Sequence, residues 1–208
     1  MVEKFRTKPH ETSLAVWDNP SPVVIGEKYE LKVAARCTAA CVLTGKPIEI
    51  RDEAGQRVAG SVLGDTPLPG TAALYWTDIV VVAPVEPGVF SWSLHFPAAD
   101  QPLPHRASSC SFTFVVVPPP EHLVAVKVVE RDTEAPIHDA HVRLGVYRAS
   151  TDATGLARFA VAGAEHRLFV SKPGYEVPER TIDVKKNGHV QVEAAVLPMD
   201  DPDAYWQG

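Results

Sequence analysis

Cys37 and Cys41, in the run CTAAC, are the closest pair of soft donors in the chain, with three residues between them. Their type and spacing admit three chemistries. They can close a short disulfide, whose small loop would constrain the unfolded chain only modestly. They can form part of a metal site with Cys110 and a histidine. Structural zinc sites do space their cysteines this closely, but usually in two paired knuckles, and no second knuckle follows here. They can also be small thiols packed into a core. His138 and His141 are a second candidate, an H-x-x-H pair flanking Asp139. Strand residues three apart point to opposite faces, so joint ligation needs a bend at Asp139, and solvated loop histidines are the plainer reading. Cys37, Cys41, Cys110, His138 and His141 are therefore the metal candidates and Cys37–Cys41 the disulfide candidate, while the expectation for the chain is no metal and no cofactor.

Other signatures of chemistry are missing from the sequence. It has no serine nucleophile elbow, no glycine-rich phosphate loop and no HExxH. Glu49, Asp52 and Glu53, like Asp200, Asp201 and Asp203, read as turns and an acidic tail rather than as a paired acid and base. That tail closes on Tyr205 and Trp206, aromatic residues of the kind favoured as interface anchors, and these two are the partner-binding candidates. Trp17, Tyr75, Trp76 and Trp92 are candidates for a stacking face for a glycan, although strand alternation points Trp92 inward.

Composition narrows the choice of partner. The 208 residues carry a formal net charge of −6, which argues against nucleic acid, whose binders usually show a basic stripe. No run of about 18 apolar residues occurs, so no membrane-spanning helix is expected. Three cysteines are too few for a disulfide-built scaffold. The opening MVEKFRTKPHETS lacks an apolar signal core. The expectation is a cytoplasmic protein as written, or a periplasmic or extracellular one if a leader has been removed.

Strands must carry these residues. Tyr29, Leu31, Val33 and Ala35 alternate with charged neighbours, and Ile48 and Ile50 alternate with Glu49 and Arg51 before a DEAG turn leads to Val58 and Val62. Tyr75 to Val81, Phe90 to Phe96 and Phe112 to Val116 repeat the period of two. Pro118, Pro119 and Pro120 cannot donate ladder hydrogen bonds and favour a stiff extended spacer. A second series of strands then begins at Val124. The expected organisation is a β-sandwich over 1–118, a linker over 119–122, a second β-sandwich over 123–198 and an acidic, aromatic tail over 199–208. The fold class is all-β, two antiparallel sandwiches in tandem.

The second half resembles a known family. VKVVERDTEAPIHDAHVRL, STDATGLARFAV, HRLFVSKPGYE and HVQVEAAVL follow in order the pattern of the carboxypeptidase regulatory-like domain, a small transthyretin-like sandwich. The resemblance implies a mostly non-catalytic module of the kind appended to other domains. Asp152 and Gly155 suit a tight turn within it. The transthyretin-like hydrolases of 5-hydroxyisourate end in Tyr-Arg-Gly-Ser, whereas here Tyr147-Arg148-Ala149-Ser150 is internal and carries Ala for Gly. In the first half, VVIGEKYELKV and APVEPGVFSWSLHF resemble segments of bacterial immunoglobulin-like accessory domains, without the cysteine that antibody domains carry in the second of these. The expected function is a non-catalytic accessory or protein-interaction protein, a structural subunit or scaffold with another protein subunit as partner. The alternatives are a carbohydrate- or cell-surface-binding module with a glycan ligand, and a transthyretin-like enzyme or metal protein.

Overall fold

The computed structural model describes residues 8–99 and 103–197, and none of them lies in a helix. The chain divides after Val117 into two compact units, 1–117 and 118–208. The first carries β1 (Thr12–Trp17), β2 (Val23–Val24), β3 (Lys28–Cys37), β4 (Pro47–Arg51), β5 (Arg57–Val62), β6 (Leu74–Val82), β7 (Gly88–Phe96) and β8 (Ser108–Val117). They form a three-stranded sheet in the order β1-β3-β6 and a five-stranded sheet in the order β2-β8-β7-β4-β5. Pairings are antiparallel apart from β2 with β8, which is parallel.

Alternation explains the packing. Leu31, Val33 and Ala35 of one sheet and Ile48, Ile50 and Leu94 of the other are fully or almost fully buried in a single core. Phe114 sits among the aromatic rings of that core, edge-on to Trp92 at 4.8 Å, with Tyr29 at 5.7 Å and Phe90 at 5.9 Å. In β5 the valines Val58 and Val62 face solvent. The register is the reason. Ile48 pairs with Ser61 and Ile50 with Ala59, so the small residues of β5 share the inward face and the valines take the other.

The second unit carries β9 (His122–Glu130), β10 (His141–Leu144), β11 (Tyr147–Ser150), β12 (Leu156–Val161), β13 (Glu165–Ser171), β14 (Tyr175–Glu176), β15 (Arg180–Asp183) and β16 (Gly188–Val196). Its two four-stranded sheets run β12-β9-β16-β14 and β11-β10-β13-β15. β9 and β16 pair in parallel over seven residue pairs. Val126, Val128, Leu144, Val161, Leu168 and Val192 belong to the core of this unit.

The turn between β11 and β12 is held by side chains that the sequence pattern marks. Thr151 is 2% exposed. Its hydroxyl donates to Ile137 O at 2.6 Å and accepts the Ala140 N–H at 2.8 Å. Thr151→Val keeps the shape and strands both backbone partners, so the second unit should lose about 1–3 kcal/mol in urea denaturation. An unshifted midpoint would mean that the hydroxyl contributes nothing.

Asp152 organises the same turn. It accepts the Thr154 hydroxyl at 2.6 Å and the N–H groups of Thr154 and Leu156, and Arg158 Nη1 donates to it at 3.0 Å. The Thr154 hydroxyl foremost, then the Leu156 N–H and Arg158, hold its carboxyl far below the usual carboxylate range. A depressed pKa in the folded state means stabilisation that is present above the unfolded value, about 3.9, and is lost as pH falls toward the folded one. Asp152→Ala should therefore lower Tm at pH 7, and its difference from wild type should shrink as pH falls below about 4. A pH-independent difference would contradict this.

Candidate functional site

Four side chains capable of binding a metal converge in the first unit. His10, Cys37, Cys41 and His105 each offer one ligand atom, and these atoms all lie within 4.8 Å of one another. Cys37 is the last residue of β3 and is buried because it continues the inward series of Val33 and Ala35. The chain then turns sharply. The Ala40 N–H donates to Cys37 O at 3.0 Å, and Ala40 itself has φ of 53°. The Ala39 N–H donates to Cys37 Sγ at 3.4 Å.

The histidines arrive on two other segments, each shortly ahead of a strand: His10 before β1 and His105 before β8. Backbone hydrogen bonds clamp these segments together, with His10 N–H donating to Pro104 O at 2.8 Å and Arg106 N–H to His10 O at 2.9 Å. The two imidazoles stand edge to face, 5.6 Å between centroids. The Thr38 N–H donates to Glu11 O at 3.0 Å and draws the cysteine turn against the segment that carries His10. As a result His10 Nδ1 lies 3.0 Å from Cys41 Sγ and 3.7 Å from Cys37 Sγ. Burial, and next the Cys37 sulfur, push the Cys41 thiol up. His105 is 3% exposed, and neither of its ring nitrogens has a hydrogen-bond partner among the described residues. A buried polar atom left unpaired costs about 1–3 kcal/mol.

All three cysteines are free. Cys37 and Cys41, the disulfide candidate, instead both lie against the His10 imidazole. Cys110 is outside the cluster. It lies on β8 opposite Leu94 and packs against the core, and burial pushes its thiol up. At His138 and His141 the bend exists, since Asp139 has φ of 53°. His141, however, contacts Ser150 Oγ at 3.4 Å, and no third ligand joins the pair among the described residues. Tyr205 and Trp206 lie outside the described residues. Sequence reasoning misses His10 and His105 because they are far apart in the chain and belong to no local motif. The only hint is that each precedes a strand by two or three residues.

Two outer sheet faces also carry notable side chains. In the first unit, Trp17 and Trp76 stand together at 6.4 Å, and Ala34, which pairs with Trp76 and shares its face, is fully buried. Tyr75 and Trp92, the other two members of the expected stacking face, are core residues. In the second unit, Arg143 of β10 lies directly opposite Arg148 of β11 on one side and Phe169 of β13 on the other. The Arg143 guanidinium stacks over the Phe169 ring at 5.4 Å. Neither arginine makes an ion pair with a carboxylate among the described residues.

A hydroxyl–imidazole pair occurs at Ser93 Oγ and His95 Nε2, 2.9 Å apart. It lies on β7, between β8 and β4, where the backbone N–H groups serve the ladders and cannot converge on an oxyanion. Glu49, opposite His95, is held by Arg51.

No protein-family model matches the chain, and no curated protein does. Solved structures that are similar to it include the major pilin subunit BcpA of Bacillus cereus, at 8% identity over 89% of this chain and 71% of that one, with a TM-score of 0.34. The group B streptococcus pilus 2b backbone protein aligns at 10% identity over 88% of this chain and 97% of that one, with a TM-score of 0.34. The shaft pilin SpaA of Lactobacillus rhamnosus GG aligns at 6% identity over 80% and 88%, with a TM-score of 0.35. Likenesses of this extent assign neither family nor function. Among the described residues no helix is long and apolar enough to cross a membrane.

Proposed function

We propose that this protein acts by binding rather than by catalysis, as an accessory or scaffold subunit that docks another protein. The observation that carries this reading is the outer face of the second unit. Arg143 and Arg148 face each other across neighbouring strands, beside a Phe169 ring that is 41% exposed. Like charges set directly opposite cost stability, and only Arg143 has a ring contact to set against that cost, its stacking over Phe169. Arginine and exposed aromatic rings are the residues that anchor interfaces, and an acidic surface on a partner relieves the repulsion. The resemblance of residues 123–198 to the carboxypeptidase regulatory-like domain supports the same reading, because such modules are appended to other domains.

The test is gentle purification of the tagged protein from its native host, beside a variant carrying Arg143→Glu and Arg148→Glu. A stoichiometric protein partner that the folded double variant loses is expected. A solitary monomer, or a double variant that keeps its partner, overturns the reading. The Trp17–Trp76 pair favours a second reading, a glycan ligand stacked on the first unit. On a glycan array that reading requires hits that Trp76→Ala abolishes.

A further inference from the structure

We propose that His10, Cys37, Cys41 and His105 bind one zinc-class ion, with four protein ligands in a closed tetrahedral site. The proposal goes beyond the docking reading and does not depend on it.

Geometry comes first. Zinc–sulfur bonds of about 2.3 Å and zinc–nitrogen bonds of about 2.0–2.1 Å put the ligand atoms of a tetrahedron roughly 3.3–3.8 Å apart. The edges from His10 Nδ1, 3.0 Å to Cys41 Sγ and 3.7 Å to Cys37 Sγ, already bracket most of that range. All four ligand atoms fall within 4.8 Å of one another, so small side-chain shifts close the shell around an ion.

His105 is the second and independent observation. A buried imidazole with both nitrogens unpaired among the described residues carries a desolvation cost that an apolar residue in the same space would avoid. Ligation gives one of those nitrogens a partner. The Ala39 N–H that reaches Cys37 Sγ is the outer-sphere hydrogen bond that a metal-bound thiolate uses.

Charge also balances. A divalent ion replaces two thiol protons, which leave to solvent, and both imidazoles bind neutral. The ion's two positive charges meet two thiolates, and the site is neutral overall, as burial requires.

The donor set selects the metal. Two sulfurs and two imidazoles exclude magnesium and calcium, which take oxygen. Copper(II) prefers a tetragonal arrangement, whereas zinc accepts a tetrahedron without penalty. Four protein ligands leave no open position for water or substrate, so the ion is structural. It ties together three segments that otherwise meet through backbone and hydroxyl hydrogen bonds and the exposed Arg106–Glu11 ion pair: the approach to β1, the CTAAC turn and the approach to β8.

The test uses the full chain, stripped with a chelator under reductant and then titrated separately with Zn²⁺ and Co²⁺. The wild type should take up one equivalent of zinc and melt at a higher temperature. Its cobalt form should show the intense visible bands of a tetrahedral ion together with thiolate charge transfer. Cys110→Ser should behave as wild type. Cys41→Ser and His10→Ala, at half-buried positions, should stay folded by circular dichroism. Each should weaken binding by more than the roughly 10–100-fold that loss of an outer-sphere partner costs. Four results would each overturn the proposal: folded wild type that retains no equivalent of zinc, a weakly coloured octahedral cobalt form, equal loss in Cys110→Ser, or full binding in both ligand variants.

Discussion

Phe114→Ala should remove about 3–5 kcal/mol from the first unit, a large share of the roughly 5–15 kcal/mol that holds a domain together. The Phe114 ring is 1% exposed and is the common neighbour of Trp92, Tyr29, Phe90 and Phe112. Truncation leaves a void bordered by rings. Neighbouring rings cannot collapse into it without leaving their own contacts, so the cavity adds to the lost transfer energy. Guanidinium denaturation followed by tryptophan fluorescence should show the first unit's transition moving to much lower denaturant. The second unit's transition, followed by circular dichroism, should not move, because the two cores share no residue. A small shift in the first transition would mean that the aromatic cluster re-packs freely.

Gly155→Ala should cost the second unit about 2–5 kcal/mol, the sum of a left-handed backbone penalty and overpacking. Gly155 has φ of +76°, and an added Cβ would meet Val128 O at 2.6 Å and Pro136 Cβ at 3.0 Å. The Val128 carbonyl cannot retreat easily. It accepts the Ile137 N–H, while the Val128 N–H donates to Gly155 O. Gly174→Ala is the control. Gly174 has φ of +83° but open space around it, so only the backbone penalty of about 1–2 kcal/mol applies. Thermal melts of the two variants separate the terms, and equal losses would show that the contact with Val128 is relieved without cost.

Much of the fold was legible in the residues, because a period of two with apolar and polar partners leaves little choice of which side faces inward. Leu31, Val33, Ile48, Leu94 and Val126 all follow it. At β5 alternation alone does not decide the inward face. Which of its two faces turns inward depends on register with β4, and register is a property of the pair. The cysteine half of the metal cluster was legible for the same local reason that made it ambiguous, since CTAAC is a short motif with several chemistries. The histidine half was not. His10 and His105 meet because tertiary contacts join the approaches to β1 and β8, backbone hydrogen bonds among them, and no spacing rule connects residues so far apart in the chain. The arginine face was hidden in the same way. Arg143 and Arg148 look like ordinary solvated charges until the hairpin of β10 and β11 sets them directly opposite.

The parallel pairing of β9 with β16 has a mechanical consequence. These are the first and last strands of the second unit, and they lie side by side over seven residue pairs. A pull that separates the two ends of the unit runs along the strands and loads the whole ladder in shear. In an antiparallel hairpin pulled from its open end, the hydrogen bonds instead break one after another, as in a zip. The second unit is therefore built to resist extension along its own chain, whatever its partner, and force is a variable that denaturant and heat do not probe.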